Sequence, residues 1–534
     1  MSKRTFLKGA AILGIAGLIV QVMGAVFRIP LANIIGEDGM GFYGTVYPIY
    51  VFILVFSTNG APAAISKMTS ERLAVGRADE AHRVFKFSFV AMSVFGILTS
   101  FGLFFGAERI IGFAEVHPDS YYAMIAIAPA LLLIPIMSVY RGYFQGMQNM
   151  LPTALSQFME QAVRVAAGLG LAIVLLGMGV EYAAAGATLG ASIGPVPGIL
   201  IIVIIYYVKR RKNFELINES RAKGGETESA GGILKTLAVI AVPITIGVSI
   251  YPVMNLADMV LVQQRLIFSG YDEDAALALY GQLSGFAGPV INVPMALALS
   301  MALSMVPAIA SAKSGKDTEL LNANIKLGVR TSMIVGVPCS FGIIVLAEPI
   351  MRLLFPMQLE SAVNAAGSLA ILAGGIVFLC IAQTMAGVLQ GLGRIGIAVL
   401  SLTVGFVVKC IITHYLTPYL TIEGAAIGSV AGFVTVAVIS FIAVCVLTKI
   451  RFDFVLSLVK PLVSGIIMTV CVVLSNHLLS AVVTERLATA FAICFGAAVY
   501  GVTLIKIRAI TESEIKMLPK GGGVVRILKN LKLL

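Results

Sequence analysis

Fourteen long apolar runs follow one another along the chain, with only short breaks between them. A helix needs about 20 apolar residues to cross about 30 Å of hydrocarbon, so each run is long enough to span a membrane. Only 12% of the residues are charged and the mean hydropathy is +0.97, whereas a soluble domain has about 25% charged residues. The sequence therefore predicts an all-α polytopic membrane protein with about 14 transmembrane helices, near residues 9–35, 42–66, 87–106, 121–144, 153–178, 183–208, 236–262, 281–310, 327–347, 363–390, 397–416, 424–448, 461–481 and 488–507.

The first run, residues 9–35, follows three basic residues, a pattern that also begins a secretory signal peptide. The run is too long for the apolar part of a signal peptide, and no small-residue cleavage site ends it. We interpret it as the first membrane helix, with the N-terminus in the cytoplasm.

Basic residues are distributed unevenly between the two sides of the predicted membrane. With the N-terminus inside, 31 of the 38 Lys and Arg residues fall in cytoplasmic segments. This excess follows the positive-inside rule and predicts a cell-membrane protein with both termini cytoplasmic. The net charge of +11 then reflects topology, so we predict no nucleic-acid partner. Four basic residues fall outside: Arg109, Arg265, Arg352 and Arg486.

Two segments lie outside the membrane in this topology. Residues 209–235 combine KRRK with Gly, Glu and Ser, a composition typical of a flexible cytoplasmic linker. Residues 508–534 form a basic tail in which apolar residues between Val524 and Leu531 can share one helical face. Such an amphipathic helix would bind the anionic inner leaflet, and a solvated tail is the alternative.

The chain contains a tandem repeat. Residues 141–156 align with 386–401 at an offset of 245, which places Arg164 opposite Lys409. An offset of about 240 residues covers six spans, an even number, so both copies cross the membrane in the same sense. Three further pairs of segments follow in the same order: 186–194 with 424–432, 62–67 with 307–313, and 107–112 with 347–352.

The repeat predicts two parallel six-helix lobes, as in transporters built from parallel repeats. The N-lobe comprises residues 1–208, the C-lobe comprises 236–448, and residues 449–507 add two C-terminal helices. Glycines recur at every fourth position in 186–194 and in 424–432. This spacing predicts close contacts between helices, because glycine lets two backbones approach.

Five charged residues lie at least four positions inside predicted spans: Arg28, Glu160, Arg164, Asp258 and Lys409. Each would cost about 2.5 to 3.5 kcal/mol if it faced lipid at the bilayer centre. Glu160 and Arg164 are four residues apart, so one interpretation is an ion pair within one helix. Asp258 could likewise pair with Lys409. The functional interpretation places all five around a wet cavity between the lobes.

Three cations against two acids give this cavity a positive excess, which Arg265 would increase if it turned inward. A cavity of this charge suits a phosphate or diphosphate, which guanidinium groups bind through forked hydrogen bonds. The sequence has no Walker A motif, no H-E-x-x-H motif and no Cys/His cluster, so we predict neither an enzyme nor a metal site. Transport would need no bound cofactor and would be driven by a Na⁺ or H⁺ gradient or by the membrane potential.

Three segments carry a resemblance to a known family: FRIPLANIIGEDGMGFYG (27–44), TNGAPAAISK (58–67) and RGYFQGMQNMLPTALSQFMEQAVRV (141–165). They resemble the stage V sporulation protein B and MurJ-like lipid II flippase branch of the multidrug/oligosaccharidyl-lipid/polysaccharide (MOP) exporter superfamily. The resemblance covers nearly the whole chain. It implies two six-helix lobes around a cationic central cavity, two extra C-terminal helices, and alternating-access flipping of an undecaprenyl-diphosphate-linked cell-wall precursor.

The resemblance also implies roles for individual residues. Arg28 matches a first-helix arginine that contacts the diphosphate in the family, and Glu160 and Arg164 match a QxxEQxxR-type stretch. Arg265 is a weaker match, because its flank VQQRL is less distinctive.

Members of the superfamily can also hold a sodium ion in the second lobe, between spans seven and eleven. Asn255 and Asp258 would supply the ligands of span seven, so they are candidates for ion coupling. Span eleven carries Lys409, whose ammonium group could replace the ion.

The leading hypothesis is a monomeric flippase of lipid II or a similar precursor, for peptidoglycan or spore cortex synthesis. A second hypothesis keeps the diphosphate anchor and changes the cargo to a teichoic-acid, capsule or O-antigen lipid intermediate. A third is a cation-coupled multidrug antiporter, which predicts that acids dominate the cavity. A fourth is a non-transporting scaffold with a degenerate cavity.

Overall fold

The computed structural model describes residues 3–222, 228–450 and 452–509, and the regular structure in these ranges is helical. Residues 510–534, which contain the predicted amphipathic tail helix, lie outside the described residues. The chain divides into two compact units, Met1–Gly285 and Phe286–Leu534.

Ten α-helices form the first unit, with a π-helical turn at Phe56–Gly60 and a 3-10 turn at Leu176–Met178 among the described residues. They are α1 (Lys3–Val55), α2 (Ala61–Ala74), α3 (Ala78–Ala114), α4 (Ser120–Ile127), α5 (Ala130–Gly146), α6 (Leu151–Leu175), α7 (Val180–Ile193), α8 (Pro195–Ala222), α9 (Ala230–Phe268) and α10 (Glu273–Gly281).

A π-helical segment, Gln282–Ala287, leads into the second unit, and another lies at Val455–Val459. The second unit contains α11 (Gly288–Ser314), α12 (Thr318–Val345), α13 (Ala347–Leu354), α14 (Leu359–Gly374), α15 (Ile376–Gly391), α16 (Ile395–Thr448), α17 (Lys460–Ser480) and α18 (Glu485–Lys506).

Helices α1 and α16 are each interrupted by one residue with non-helical backbone. Gly36 in α1 has φ 70° and ψ −169°, and Thr421 in α16 has φ 51° and ψ −133°. A positive φ is easy for glycine and unfavourable for threonine. The chain reverses at both points, because residues 19 to 23 positions apart touch across them, whereas a straight helix would separate them by about 30 Å.

The number of membrane spans depends on how these interrupted helices are counted. Among the described residues, ten helices are long and apolar enough to cross a membrane, and two pairs bent by 51° and 43° raise the number to 12. Ile19–Ala74 and Ile395–Thr448 each cover two of the predicted spans. The all-helical membrane fold is confirmed, and the count of 14 stays a prediction.

The glycines of α7 pack on the backbone of α6, as their spacing predicts. A Cβ on Gly190 would lie 2.8 Å from the carbonyl oxygen of Arg164, and a Cβ on Gly194 would lie 2.8 Å from the Cβ of Arg164. No side chain fits in that space, because real Cβ atoms do not approach other heavy atoms so closely. Glycine at these two positions therefore sets the distance between α6 and α7.

The second unit repeats this contact between the two halves of α16. A Cβ on Gly428 would lie 3.1 Å from the carbonyl oxygen of Lys409, and one on Gly432 would lie 3.1 Å from the Cβ of Lys409. Lys409 therefore occupies the place in the second unit that Arg164 occupies in the first. The pairing of these two residues in the sequence repeat is confirmed within each unit.

One block of the repeat alignment needs a correction. A Cβ on Gly146 would lie 2.8 Å from the carbonyl oxygen of Ser66. A Cβ on its counterpart Gly391 would lie at the same distance from the carbonyl oxygen of Val306. The contacts therefore match residues at an offset of 240, so the predicted alignment of 62–67 with 307–313 is wrong by five residues. A shared Pro-Ala dipeptide caused the shift, since both segments are small-residue helices.

The unit boundary at Gly285 differs from the predicted lobe boundaries at 208 and 236. Helices α9 and α10 group with the first unit, because glycines let α10 approach α1 closely. A Cβ on Gly41 would lie 2.7 Å from Cγ of Leu277, and one on Gly44 would lie 3.1 Å from the ring of Tyr280. The lobes 1–208 and 236–448 remain a prediction from the repeat.

The predicted flexible linker at 209–235 is helical over most of its length, so that prediction is wrong for the described part. Helix α8 continues to Ala222, because no Gly or Pro follows Gly198 within it and its residues favour helix. After the gap in the described residues, Glu228 forms an ion pair with Arg72, and its carbonyl accepts a hydrogen bond from Arg83 at 2.7 Å. These contacts hold the start of α9 against α2 and α3.

The glycine contacts yield a stability prediction. Gly190→Ala should lower the midpoint of thermal unfolding in detergent, because its Cβ would collide with the backbone of α6, and overpacking typically costs about 1–3 kcal/mol. Gly170→Ala, on α6 with open space around its Cα, is the matched control and should leave the midpoint unchanged or raised. Equal midpoints for the two variants would contradict the packing described above.

Candidate functional site

Arg28 and Arg164 lie on different helices of the first unit and meet at one tyrosine. The guanidinium carbon of Arg28 lies 5.1 Å from the ring centre of Tyr47, and that of Arg164 lies 5.3 Å from the same centre. Arg28 is in the first half of α1 and Tyr47 in the second half, so the reversal at Gly36 is what brings them together. Two of the five predicted substrate-binding residues are therefore neighbours.

A row of tyrosines surrounds the two guanidinium groups. Tyr43, Tyr47 and Tyr50 are spaced i, i+4 and i+7 on α1, which places them on one helix face. Arg28 also lies 5.8 Å from the ring of Tyr43, and Arg164 lies 5.9 Å from that of Tyr50. A cation over an aromatic face gains about 0.5–2 kcal/mol, so the rings hold the two arginines in place.

Neither guanidinium group takes part in a salt bridge with a residue that the structure describes. Two cations beside one ring repel each other, and aromatic faces compensate their charge only in part. Arg28 and Arg164, which both donate to the hydroxyl oxygen of Tyr47, therefore form a positively charged site. Such a site can bind an anion through forked hydrogen bonds.

Glu160 forms an ion pair with Arg141, on α5, and not with Arg164 as one interpretation of the sequence had it. Nη2 of Arg141 donates to Oε2 of Glu160 at 2.7 Å, and Nε donates to Oγ of Ser156 at 2.8 Å. The two side chains are only 12% and 16% exposed, so the pair is largely removed from solvent. Arg141 neutralises Glu160 and leaves Arg164 as the local positive excess.

A polar cavity of about 240 Å³ lies inside the first unit, beside these residues. Arg164 and the Arg141–Glu160 ion pair contribute its charged groups, with a net charge of +1. Its other lining residues come from α1, α2, α5, α6 and the turn at Phe56–Gly60: Val20, Thr58, Pro62, Ile134, Ser138, Gln145, Gln157 and Gln161.

Arg265 and the candidate ion-coupling residues lie on α9. The guanidinium carbon of Arg265 is 5.1 Å from the ring centre of Phe268, three residues further on. Among the described residues, Arg265 does not join Arg28 and Arg164 at the ring of Tyr47. Asn255 and Asp258 are half-buried one turn apart, so they share a helix face. Among the described residues, no group of three or more His, Cys, Asp or Glu side chains could hold a metal ion.

Lys409 lies in the second unit, on α16, and is 5% exposed. Its backbone and Cβ pack on the glycines of the same helix, as described above. The structure therefore does not group it with Arg28 and Arg164 in one unit.

Sequence reasoning missed two parts of this site. It left Arg141 out of the charged residues inside spans, because this residue stands near the end of an apolar run. It also overlooked the tyrosines, although their i, i+4, i+7 spacing on the second span was a readable signal for an aromatic face beside the first-span arginine.

Comparison with known proteins agrees with this fold. A sequence model of the polysaccharide biosynthesis protein family matches residues 6–313, and a MatE model matches residues 243–416. Stage V sporulation protein B of Bacillus subtilis is 29% identical over 538 residues, covering 98% of this chain and 100% of that protein. Lipid II flippase MurJ of Bacillus subtilis is 26% identical over 454 residues, covering 82% of each.

A solved structure, lipid II flippase MurJ in its inward closed conformation, matches with a TM-score of 0.69 at 15% identity. The match covers 92% of this chain and 98% of that one. The resemblance seen in the sequence is confirmed, and the chain is a multi-pass membrane protein of transporter type and not an enzyme. Because the first family model spans more than half of the residues, the chain belongs to the polysaccharide biosynthesis protein family.

Proposed function

We propose that this protein flips a polyprenyl-diphosphate-linked cell-wall precursor, lipid II or a close relative of it, across the cytoplasmic membrane by alternating access. The observation that carries the proposal is the pair Arg28 and Arg164, which face one tyrosine and form no described salt bridge. The relatives support it, because one of them is named a lipid II flippase and the family is named for polysaccharide biosynthesis.

A diphosphate fits the chemistry of this pair. Its two phosphoryl groups present several anionic oxygens, and a guanidinium group binds such oxygens through two parallel hydrogen bonds. Binding would also relieve the repulsion between Arg28 and Arg164. The tyrosine rings keep the guanidinium groups in position before the lipid arrives, which lowers the entropy cost of binding.

The proposed orientation places both termini in the cytoplasm. Most residues that line the polar cavity lie near the end of predicted spans two and four and near the start of span five. With both termini in the cytoplasm, these parts of the spans face the inner leaflet. A lipid-linked precursor would enter from that leaflet, with its head group in the cavity and its polyprenyl tail in the bilayer.

A cation-exporting multidrug antiporter fits the site less well. Its cavity should contain an excess of acids, whereas Glu160 is compensated by Arg141, and Arg28 and Arg164 lie together at Tyr47. Teichoic-acid, capsule and O-antigen intermediates carry the same diphosphate anchor, so they remain the second candidate cargo.

Ion coupling is assigned to α9 in this proposal. Asn255 and Asp258 offer an amide and a carboxylate on one helix face, which are suitable oxygens for Na⁺ or for a transported proton. Lys409 and Arg265 are proposed as further cationic contacts for the cargo at other stages of the cycle.

The first prediction concerns the arginine pair. Arg28→Ala and Arg164→Ala should each slow translocation of a fluorescent lipid II analogue in proteoliposomes by about 10- to 100-fold, because a hydrogen bond to a charged group contributes about 1.5–3 kcal/mol. The measurement is the rate at which the analogue becomes accessible to a membrane-impermeant quencher. Arg28→Lys should retain part of the activity, since it keeps the charge and loses the fork.

Arg109→Ala is the matched control for the arginine pair, because Arg109 is an exposed residue on α3 with no role in the site. It should translocate at the parent rate. If Arg28→Ala and Arg164→Ala also kept the parent rate while remaining folded, the diphosphate assignment would be wrong.

The charge balance of the cavity yields a second prediction. Arg141→Met should leave Glu160 as a largely buried charge without its partner and lower the free energy of unfolding, at the lower end of the 3–5 kcal/mol typical of a broken buried pair. Adding Glu160→Met should recover part of the loss, and the cycle measured by thermal unfolding should show coupling of about 1–3 kcal/mol. Additive effects would mean that the two side chains do not pair in the folded protein.

A further inference from the structure

Three glutamines line the polar cavity of the first unit and have no partner within the described chain. Gln145 is on α5, and Gln157 and Gln161 are on α6. The described residues provide no hydrogen bond to any of the three side chains, and the carbonyl oxygen Oε1 of Gln157 is fully buried without a partner. An unsatisfied buried amide costs about 1–3 kcal/mol, so its presence needs an explanation.

The internal repeat shows whether the fold itself requires these polar side chains. At the offset of 245, Ser156 and Ser401 make the same hydrogen bond, each to the carbonyl three residues earlier, at 3.0 and 2.8 Å. The glycines that pack the helices are also kept in both units. Four of the six charged or amide groups of the lining are not kept: the second unit has Ala386, Leu402, Gly405 and Phe406 where the first has Arg141, Gln157, Glu160 and Gln161. Gln145 and Arg164 have polar counterparts, Gln390 and Lys409.

The second unit therefore folds in the same way without these polar groups. Helix packing does not require Gln157, Gln161 or the Arg141–Glu160 pair, so their cost is explained by a ligand better than by the fold. Unpaired amides, each with one acceptor and two donor hydrogens, can recognise hydroxyl or acetamido groups but add no charge. Carbohydrate has this chemistry.

We infer that this cavity is the subsite for the first sugar of the cargo, the one bonded directly to the diphosphate; this inference rests on the function proposed above. Arg164 belongs to both places, because it lines the cavity and also flanks Tyr47 with Arg28. A sugar attached to a diphosphate at Arg28 and Arg164 would therefore lie beside this cavity. The volume of about 240 Å³ lies below the 300–1,000 Å³ of sites for drug-sized ligands, so it takes one ring and not a whole head group.

Hydroxyl groups of Ser138 and Thr58 complete the lining; each donates to a backbone carbonyl three or four residues earlier, and Thr58 already accepts one hydrogen bond from Asn59. Their remaining lone pairs accept hydrogen bonds. The donors needed for sugar oxygens come from the amides and from Arg164. The subsite thus has donors and acceptors for hydroxyl and acetamido groups on one ring.

The test compares two lipids on the full-length protein in nanodiscs: undecaprenyl diphosphate, and the same lipid carrying a single N-acetylhexosamine. Gln157→Met and Gln145→Met remove the amide with little change in side-chain length. Each should weaken binding of the sugar-bearing lipid by about 2- to 10-fold, the range expected for one lost neutral hydrogen bond, and leave the sugar-free lipid within 2-fold.

Gln390→Met is the matched control, because Gln390 is the exposed counterpart of Gln145 in the second unit, and it should leave both lipids unaffected. Arg164→Ala should weaken both lipids. The inference is overturned if the glutamine variants weaken both lipids equally, or neither. If Arg28→Ala and Arg164→Ala affect neither lipid while Gln157→Met still weakens only the sugar-bearing one, the sugar subsite stands and the diphosphate assignment fails. Should Gln157→Met not fold, Gln145→Met alone decides.

Discussion

The close approach of α7 to α6 determines where the charged groups of the first unit can lie. Gly190 and Gly194 occupy positions where any Cβ would collide with the backbone or Cβ of Arg164. With α7 this close on one side, the side chain of Arg164 extends away from it, toward Tyr47 and Tyr50 on α1. Glycine packing in lipid depends on such van der Waals contact, because the apolar solvent supplies no hydrophobic driving force between helices.

Charge compensation then decides which of the buried groups can act on a ligand. Glu160 and Arg141 satisfy each other at 2.7 Å, so this pair carries little net charge. Arg28 and Arg164 form no salt bridge with a described residue; they lie over tyrosine rings and donate to the Tyr47 hydroxyl, which stabilises a cation without supplying a counter-ion. In the function proposed above, an anionic ligand supplies the counter-ion of this arrangement, in surroundings of low dielectric constant where the attraction is strong.

Much of this could be predicted from the sequence, and the failures have physical reasons. Hydrophobic runs and four-residue glycine spacing depend on local pattern, so the helical membrane fold and the packing of 186–194 were predictable. The partner of Glu160 was not, because Arg141 is 19 residues away and an i+4 neighbour, Arg164, offered a simpler pair. The linker prediction failed at 209–222, since charged residues there are also good helix formers and composition alone does not distinguish the two.

The reversals within α1 and α16 also lay beyond the sequence pattern. Gly36 is one of 54 glycines and Thr421 has no composition that marks a turn, so only the contacts across them reveal the hairpins. Pro243 precedes the bend of α9 between Ile246 and Val248, and a proline of this kind is a recognisable cause of a bend. The position of a bend can thus be predicted from the sequence more easily at a proline than at a glycine or a threonine.

The two units keep the same glycine contacts and the same serine hydrogen bond. They differ in the charged and amide groups of the cavity lining, with two exceptions: Arg164 corresponds to Lys409, and Gln145 corresponds to Gln390. The glycines that set the distance between helices are consequently distinct from the charged and amide side chains that face the cavity. In the function proposed above, replacing these side chains would change what the protein recognises while the glycine contacts stay intact. The same helix packing thus accommodates different polar side chains at matched positions of the two units.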